Sequence, residues 1–83
     1  MMSSRQLYIY LKTLSSSKMR QLISALRVHG IPIKEIRPYS YPEMPEAFHI
    51  YFTFDNTNEE LDYFQLPKRD YDMLITFVNH IAS

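Results

Sequence analysis

Three histidines are the residues of this sequence most able to perform acid–base or metal chemistry, and they lie far apart along the chain. His29, His49 and His80 do not form the i, i+4 pair that binds zinc from one face of a helix. Because the chain contains no cysteine, thiolate ligands and disulfides are excluded. A metal site would have to recruit distant carboxylates, and we predict none. His29 and His80 suit helix C-termini, where a cation interacts favourably with the helix dipole.

Hydroxyl and carboxylate groups give no catalytic pattern either. The segment DNTNEE, residues 55–60, places oxygens at alternate positions as a calcium loop does, but it lacks the turn glycine and the final bidentate glutamate. The serines at 15–17 have no nucleophile-elbow glycines around them, and one glycine in the chain cannot form a phosphate loop. Asp70 and Asp72 would lie on different sides of a helix. We therefore predict no catalytic residue, no cofactor and a protein that is not an enzyme.

Length and composition predict one small globular domain, residues 1–83. The chain has 83 residues, of which 46% are hydrophobic and 22% charged, values close to globular averages. Nine basic and nine acidic residues give a net charge of +0, which removes the general attraction to nucleic acids and anionic membranes. No apolar stretch approaches the roughly 20 residues of a membrane span. We expect a soluble, cytoplasmic protein.

The N-terminal half predicts a strand, a helix and two further strands. QLYIYLKTL, residues 6–14, alternates like a strand, with Leu7 on the core side and Tyr8 on the other. A helix follows over 17–29, capped by a serine and stopped by Gly30. Residues 31–39 contain two prolines and predict an edge strand, and the proline-rich segment 40–46 predicts a stiff loop. Residues 47–54 then form a strand with its phenylalanines on one face.

The C-terminal third allows two interpretations. In the favoured one, 55–59 is a hairpin loop, 61–66 is a fourth strand and Pro67 opens a helix to Ile81. In the other, Thr57 and Glu60 form a capping box for a short helix, and 74–78 is a final strand. The spacing of YDMLITFVNHI fits a helix over three turns and favours the first interpretation.

These elements predict an α+β fold, a small two-layer sandwich in which two helices cover one face of a mainly antiparallel four-stranded sheet. The order is β-α-β-β-β-α, with a ferredoxin-like β-α-β-β-α-β order as the alternative. The uncovered face would be rich in tyrosine, a residue enriched where protein partners dock. We predict that this face binds a partner through Tyr8, Tyr10, Lys12, His49, Tyr51 and Tyr63, with Tyr39 as a further candidate. Half-solvated rings paired across strands are the purely structural explanation.

Two segments of these strands resemble the short sequences of an RNA-recognition motif. LYIYL, residues 7–11, and HIYFTF, residues 49–54, are similar to the family's two central strands, whose aromatic residues stack on single-stranded RNA. The resemblance places Tyr8, His49 and Tyr51 at the stacking positions. It implies the ferredoxin-like order and binding of single-stranded nucleic acid.

The predicted function is that of a non-catalytic protein-interaction module, such as an adaptor, an inhibitor or a small homodimer. We expect the partner to be a protein or a second copy of the chain. Nucleic acid is the less favoured alternative, because the chain carries no net positive charge. Met73 and Phe77 are four residues apart on the last helix. They predict either a wide buried stripe or a secondary contact site.

Overall fold

The computed structural model describes residues 2–57 and 59–82, and these residues form three α-helices, a three-stranded antiparallel sheet and one 3-10 turn. The elements in chain order are α1 (Ser4–Thr13), α2 (Ser16–Val28), β1 (Ile33–Tyr41), β2 (Met44–Phe54), β3 (Glu60–Asp62), the 3-10 turn (Tyr63–Gln65) and α3 (Lys68–Ala82). The general α+β class is confirmed. The four-stranded sheet and both predicted element orders are wrong.

The first element is a helix where the sequence predicted a strand. The Ser3 hydroxyl accepts a hydrogen bond from the Gln6 amide at 3.1 Å, and the Gln6 side chain accepts one from the Ser3 amide at 2.8 Å. This capping box satisfies amides that otherwise have no partner at a helix start. Leu7 and Leu11, one helical turn apart, are both buried. Leu7 and Leu11 fit both the alternation that predicted a strand and the spacing of a buried helical face.

β2 is the central strand and has the predicted alternation. Ile50 and Phe52 are fully buried, and Phe48 and Phe54 pack against the same core, whereas His49 and Tyr51 point to the opposite face. The predicted loop over 40–46 is wrong, because β1 extends to Tyr41 and β2 begins at Met44. A two-residue turn at 42–43, which begins with a proline, joins them.

β1 lies at the edge of the described sheet, as the prolines predicted, and Pro38 fits there for a specific reason. Pro38 is paired with Ile50 across the sheet, but the Ile50 amide donates to the Asp62 carboxylate on the β3 side, at 3.0 Å. The Pro38–Ile50 pair is therefore of the non-hydrogen-bonded kind. The Pro38 nitrogen faces away from β2, so its missing N–H costs the sheet no hydrogen bond.

The core lies between the sheet and the helices. Leu7 and Leu11 from α1, Leu22 and Leu26 from α2, and Leu74 and Val78 from α3 are buried in one cluster with Ile36, Ile50 and Phe52. All helices of the described residues therefore pack on one sheet face. Ionic contacts support this arrangement at the periphery, where Arg27 of α2 pairs with Asp55 after β2. Each described helix is too short or too polar to cross a lipid bilayer.

The C-terminal third follows the favoured interpretation, a strand and then a helix, but the strand is shorter than predicted. α3 spans Lys68–Ala82, so the alternative with a final strand at 74–78 is wrong. Of the predicted strand over 61–66, only Leu61 and Asp62 lie in β3, which spans Glu60–Asp62, before the chain enters the 3-10 turn. The predicted hairpin loop over 55–59 connects β2 and β3, although its Asn58 lies outside the described residues.

α2 spans Ser16–Val28, within one residue at each end of the predicted 17–29, with Ser15 as its N-cap and Gly30 after its C-cap His29. Gly30 adopts a φ of +89°, and apart from the residue itself and its two chain neighbours no atom lies within 4 Å of the position a Cβ would take. A Gly30→Ala change would thus cause no clash, and only the left-handed backbone would oppose it. We expect a loss of about 1–2 kcal/mol in the free energy of unfolding. Urea denaturation followed by circular dichroism measures this loss, with exposed Ser24→Ala as the control; equal stability of Gly30→Ala and the wild type would contradict it.

Candidate functional site

The sheet face opposite the helices carries a continuous group of aromatic and charged side chains. Cross-strand pairing places Arg37 beside Tyr51 and Tyr39 beside His49. We call this surface the open face, and it consists of Glu35, Arg37, Tyr39, Tyr41, His49, Tyr51, Thr53 and Glu60. Unlike Ile50 and Phe52, which have no exposed surface, Tyr39 is 39% exposed.

Four rings of the open face contact one another. The His49 ring is stacked between Tyr51 and Tyr39, with centroid distances of 5.1 and 6.4 Å and interplanar angles of 21° and 24°. Tyr41 meets Tyr39 and His49 edge to face at 5.1 and 5.5 Å. Both arrangements are favourable for ring quadrupoles. The rings therefore form one packed layer on the sheet.

Arg37 adds a cation to this layer. Its guanidinium carbon lies 4.8 Å from the Tyr51 ring centroid and 5.8 Å from that of Tyr39, within the range of cation–π attraction. A guanidinium nitrogen also lies 3.4 Å from the Glu60 carboxylate. Because Glu60 balances its charge, Arg37 does not make the open face strongly positive.

Tyr41, His49 and Asp62 form a hydrogen-bonded chain at one end of the open face. The Tyr41 hydroxyl lies 2.8 Å from His49 Nε2, and His49 Nδ1 lies 2.5 Å from Asp62 Oδ2. Asp62 is 5% exposed, and its other oxygen accepts hydrogen bonds from the Ile50 and Tyr63 amides at 3.0 and 2.9 Å. The buried carboxylate is thus fully partnered, as a buried charge requires.

The position of Asp62 explains why these groups meet. β3 ends at Asp62, and its carboxylate receives the Ile50 amide at the point where a longer strand would have supplied a carbonyl. The same side chain caps the 3-10 turn through the Tyr63 amide. One aspartate therefore ends the strand, begins the turn and fixes the imidazole of His49.

The environment of Tyr51 disfavours its phenolate. Burial among the neighbouring rings raises the pKa of Tyr51 above its ordinary value of 10.0, and Tyr41, Asp62 and Glu60 raise it further, against an opposite effect of Arg37. Tyr51 therefore remains a neutral hydrogen-bonding phenol over the physiological range.

The predicted binding residues do not share one surface, because α1 is a helix. Tyr8 is buried, with its ring 5.0 Å from Phe48, and Lys12 Nζ lies 5.7 Å from the Tyr8 ring. Tyr10, also on α1, is half-buried against the core. The expectation that Tyr8, Tyr10 and Lys12 extend the tyrosine-rich sheet face is wrong. The RNA-recognition resemblance fails at the same point, since LYIYL is helical.

The other predicted residues divide between the open face and the core side. His49 and Tyr51 lie on the open face, as does the further candidate Tyr39. Tyr63 lies in the 3-10 turn and stacks on the core-side ring of Phe48 at 5.6 Å. Met73 and Phe77 are half-buried against the core, with Phe77 at 4.8 Å from the His29 ring.

Arg37, Tyr41 and Asp62 complete the site but were not among the residues predicted for the sheet face. Tyr41 was assigned to a loop, although the alternation of Arg37, Tyr39 and Tyr41 continues β1 and places all three on the open face. Asp62 is 13 positions from His49, and their contact depends on strand register. The alternation could have identified Tyr41, whereas no short-range signal identifies Asp62.

Among residues 2–57 and 59–82, no group of three or more histidine, aspartate or glutamate side chains is placed to hold a metal ion. No protein-family model, no curated protein and no solved structure matches the chain. Its function must therefore be inferred from the open face itself.

Proposed function

We propose that this protein is a non-catalytic interaction module, an adaptor or inhibitor, that docks a folded protein partner on its open face. The observation that carries the proposal is the packed layer of Tyr39, Tyr41, His49 and Tyr51 with Arg37 across it. Tyrosine and arginine are, with tryptophan, the residues enriched among those that dominate binding energies at protein interfaces.

The order of this layer supports binding with a small entropic cost. Tyr41 is held by its hydrogen bond to His49, and His49 is held by Asp62. Side chains that are fixed before binding lose little rotamer freedom when a partner arrives. The rings can therefore act as rigid anchors.

The charges of the open face favour a protein over a nucleic acid. Arg37 is paired with Glu60, and Glu35 adds a second carboxylate at the position opposite Thr53. A surface that stacks single-stranded bases usually lies in a cationic groove, which these carboxylates oppose. Mixed charges with phenol hydroxyls suit a polar protein surface that supplies its own hydrogen-bonding groups.

Replacing Tyr39 and Tyr51 together by serine is expected to weaken partner binding at least about 30-fold, because loss of two anchor residues at an interface typically costs 2 kcal/mol or more. Protein captured from a lysate of the source organism would be identified by comparing wild type with this variant. Its affinity would then be measured by calorimetry with both purified proteins.

Val28→Ser is the matched control, because Val28 is an apolar residue that is 80% exposed on α2 and lies away from the open face. Equal binding by the wild type and Tyr39→Ser/Tyr51→Ser would overturn the proposal. Binding of a fluorescein-labelled oligouridine 20-mer to the wild type, with an affinity that falls steeply with salt, would mean that the partner is a nucleic acid and not a protein. Light scattering would show self-association as a molar mass that doubles with increasing protein concentration. If the variant kept the monomer mass, the partner of the open face would be a second copy of the chain.

A further inference from the structure

The Tyr41–His49–Asp62 chain has the arrangement of an activated nucleophile. A nucleophile within hydrogen-bond reach of a base, and a third group that orients the base, is the common feature of nucleophilic sites. Tyr41 Oη and His49 Nε2 are 2.8 Å apart, and His49 Nδ1 and Asp62 Oδ2 are 2.5 Å apart.

The hydrogen bonds assign the direction of the chain. Ionised Asp62 only accepts hydrogen bonds, so His49 Nδ1 must carry the proton that faces it. Nε2 of neutral His49 then has a lone pair and accepts from the Tyr41 hydroxyl. Asp62 is itself held by the Ile50 and Tyr63 amides, so the imidazole is fixed on a rigid support.

We propose that Tyr41 is a modification site whose hydroxyl accepts an acyl group from an activated carboxylic ester. In the reaction, Tyr41 Oη attacks the carbonyl carbon while its proton moves to His49 Nε2. The bond between this carbon and the leaving oxygen then breaks, and the leaving group takes the proton from His49. The products are an O-acyl tyrosine and the free alcohol or phenol, and Asp62 stabilises the intermediate imidazolium.

Tyr39 provides an internal comparison. It lies on the same face, is 39% exposed and stacks on the same imidazole at 6.4 Å, whereas the hydrogen bond to Nε2 belongs to Tyr41. Tyr41 is the more buried of the two tyrosines. A faster reaction at Tyr41 would therefore be caused by the neighbouring base and not by greater exposure to the reagent.

The test is to treat the isolated protein with p-nitrophenyl acetate and follow each tyrosine by peptide mass spectrometry. We expect Tyr41 to be acetylated at least about tenfold faster than Tyr39, a small part of what a positioned base contributes in enzymes. His49→Phe, which keeps a ring in the stack and removes the base, should reduce Tyr41 to the rate of Tyr39.

Equal rates at Tyr39 and Tyr41, or an unchanged Tyr41 rate in folded His49→Phe, would overturn the proposal. Asp62→Asn is the second variant: with its oxygen kept on the Ile50 and Tyr63 amides, its NH2 group faces Nδ1 and can only donate to it. The proton of neutral His49 would then lie on Nε2, so the Tyr41 rate should fall. Circular dichroism would verify that each variant is folded. The measurement needs no partner protein, so its outcome is independent of the docking proposed above.

Discussion

A Tyr8→Ala variant is expected to lose about 3–5 kcal/mol of unfolding free energy, the usual cost of truncating a large buried aromatic residue. The Tyr8 ring is 3% exposed and lies 5.0 Å from the Phe48 ring, between α1 and the sheet. This loss is a large fraction of the stability of a small domain. Chemical denaturation followed by far-UV circular dichroism measures it.

Two control variants separate the contributions at this site. Tyr39→Ala should cost less than about 1 kcal/mol, because Tyr39 is 39% exposed on the open face. Tyr8→Phe removes the hydroxyl, whose hydrogen bond with Ser40 lowers the pKa of Tyr8 against the effect of burial. It should cost about 0.5–1.5 kcal/mol. Similar losses for Tyr8→Ala and Tyr39→Ala would mean that Tyr8 is not buried beneath α1.

An Asp62→Ala variant is expected to lose a comparable amount, about 3–5 kcal/mol, although it removes only a few atoms. The change leaves the amides of Ile50 and Tyr63 and the Nδ1–H of His49 without their acceptor. The Ile50 amide is buried and bears the full cost of desolvation when it loses its acceptor, and the part-buried groups of Tyr63 and His49 add smaller costs. The same denaturation experiment detects this loss.

Asp62→Asn is the matched comparison for Asp62→Ala. Its amide oxygen can still accept from Ile50 and Tyr63, and only the bond to His49 is lost. We expect Asp62→Asn to lose less than half of the unfolding free energy that Asp62→Ala loses. If asparagine and alanine proved equally destabilising, the two backbone bonds would not be the main contribution of Asp62.

The parts of the fold that the sequence predicted are those with long, regular patterns. Four large residues on one side of β2 fixed its orientation, because a shift by one position would expose all of them. α2 and α3 were identified from apolar residues at helical spacing, together with the serines before α2 and Gly30 after its end. Local preference and burial agree in these segments.

α1 was assigned as a strand because its pattern fits two periods. Leu7, Ile9 and Leu11 alternate, but Leu7, Leu11 and Leu14 also follow the i, i+4, i+7 spacing of a helix. Ile9, which the strand would bury, is 49% exposed. The deciding signal was the capping box formed by Ser3 and Gln6, which precedes the apolar pattern.

The site was predicted in part because its members come from different segments. His49 and Tyr51 follow from the alternation of β2 alone. Their contacts with Tyr41 and Asp62 need the register of two strand pairs and the point at which β3 ends. Side chains brought together by such long-range pairing have no signature in a local window of sequence.

The outward orientation of Pro38 has a consequence for how copies of this chain can polymerise. An edge strand with free amides can pair with a strand of a neighbouring molecule, and repetition of that contact produces fibres. Pro38 offers no donor near the middle of β1, and its ring obstructs an approaching backbone. The chain can thus display stacked aromatic rings beside its border while resisting growth into cross-β aggregates.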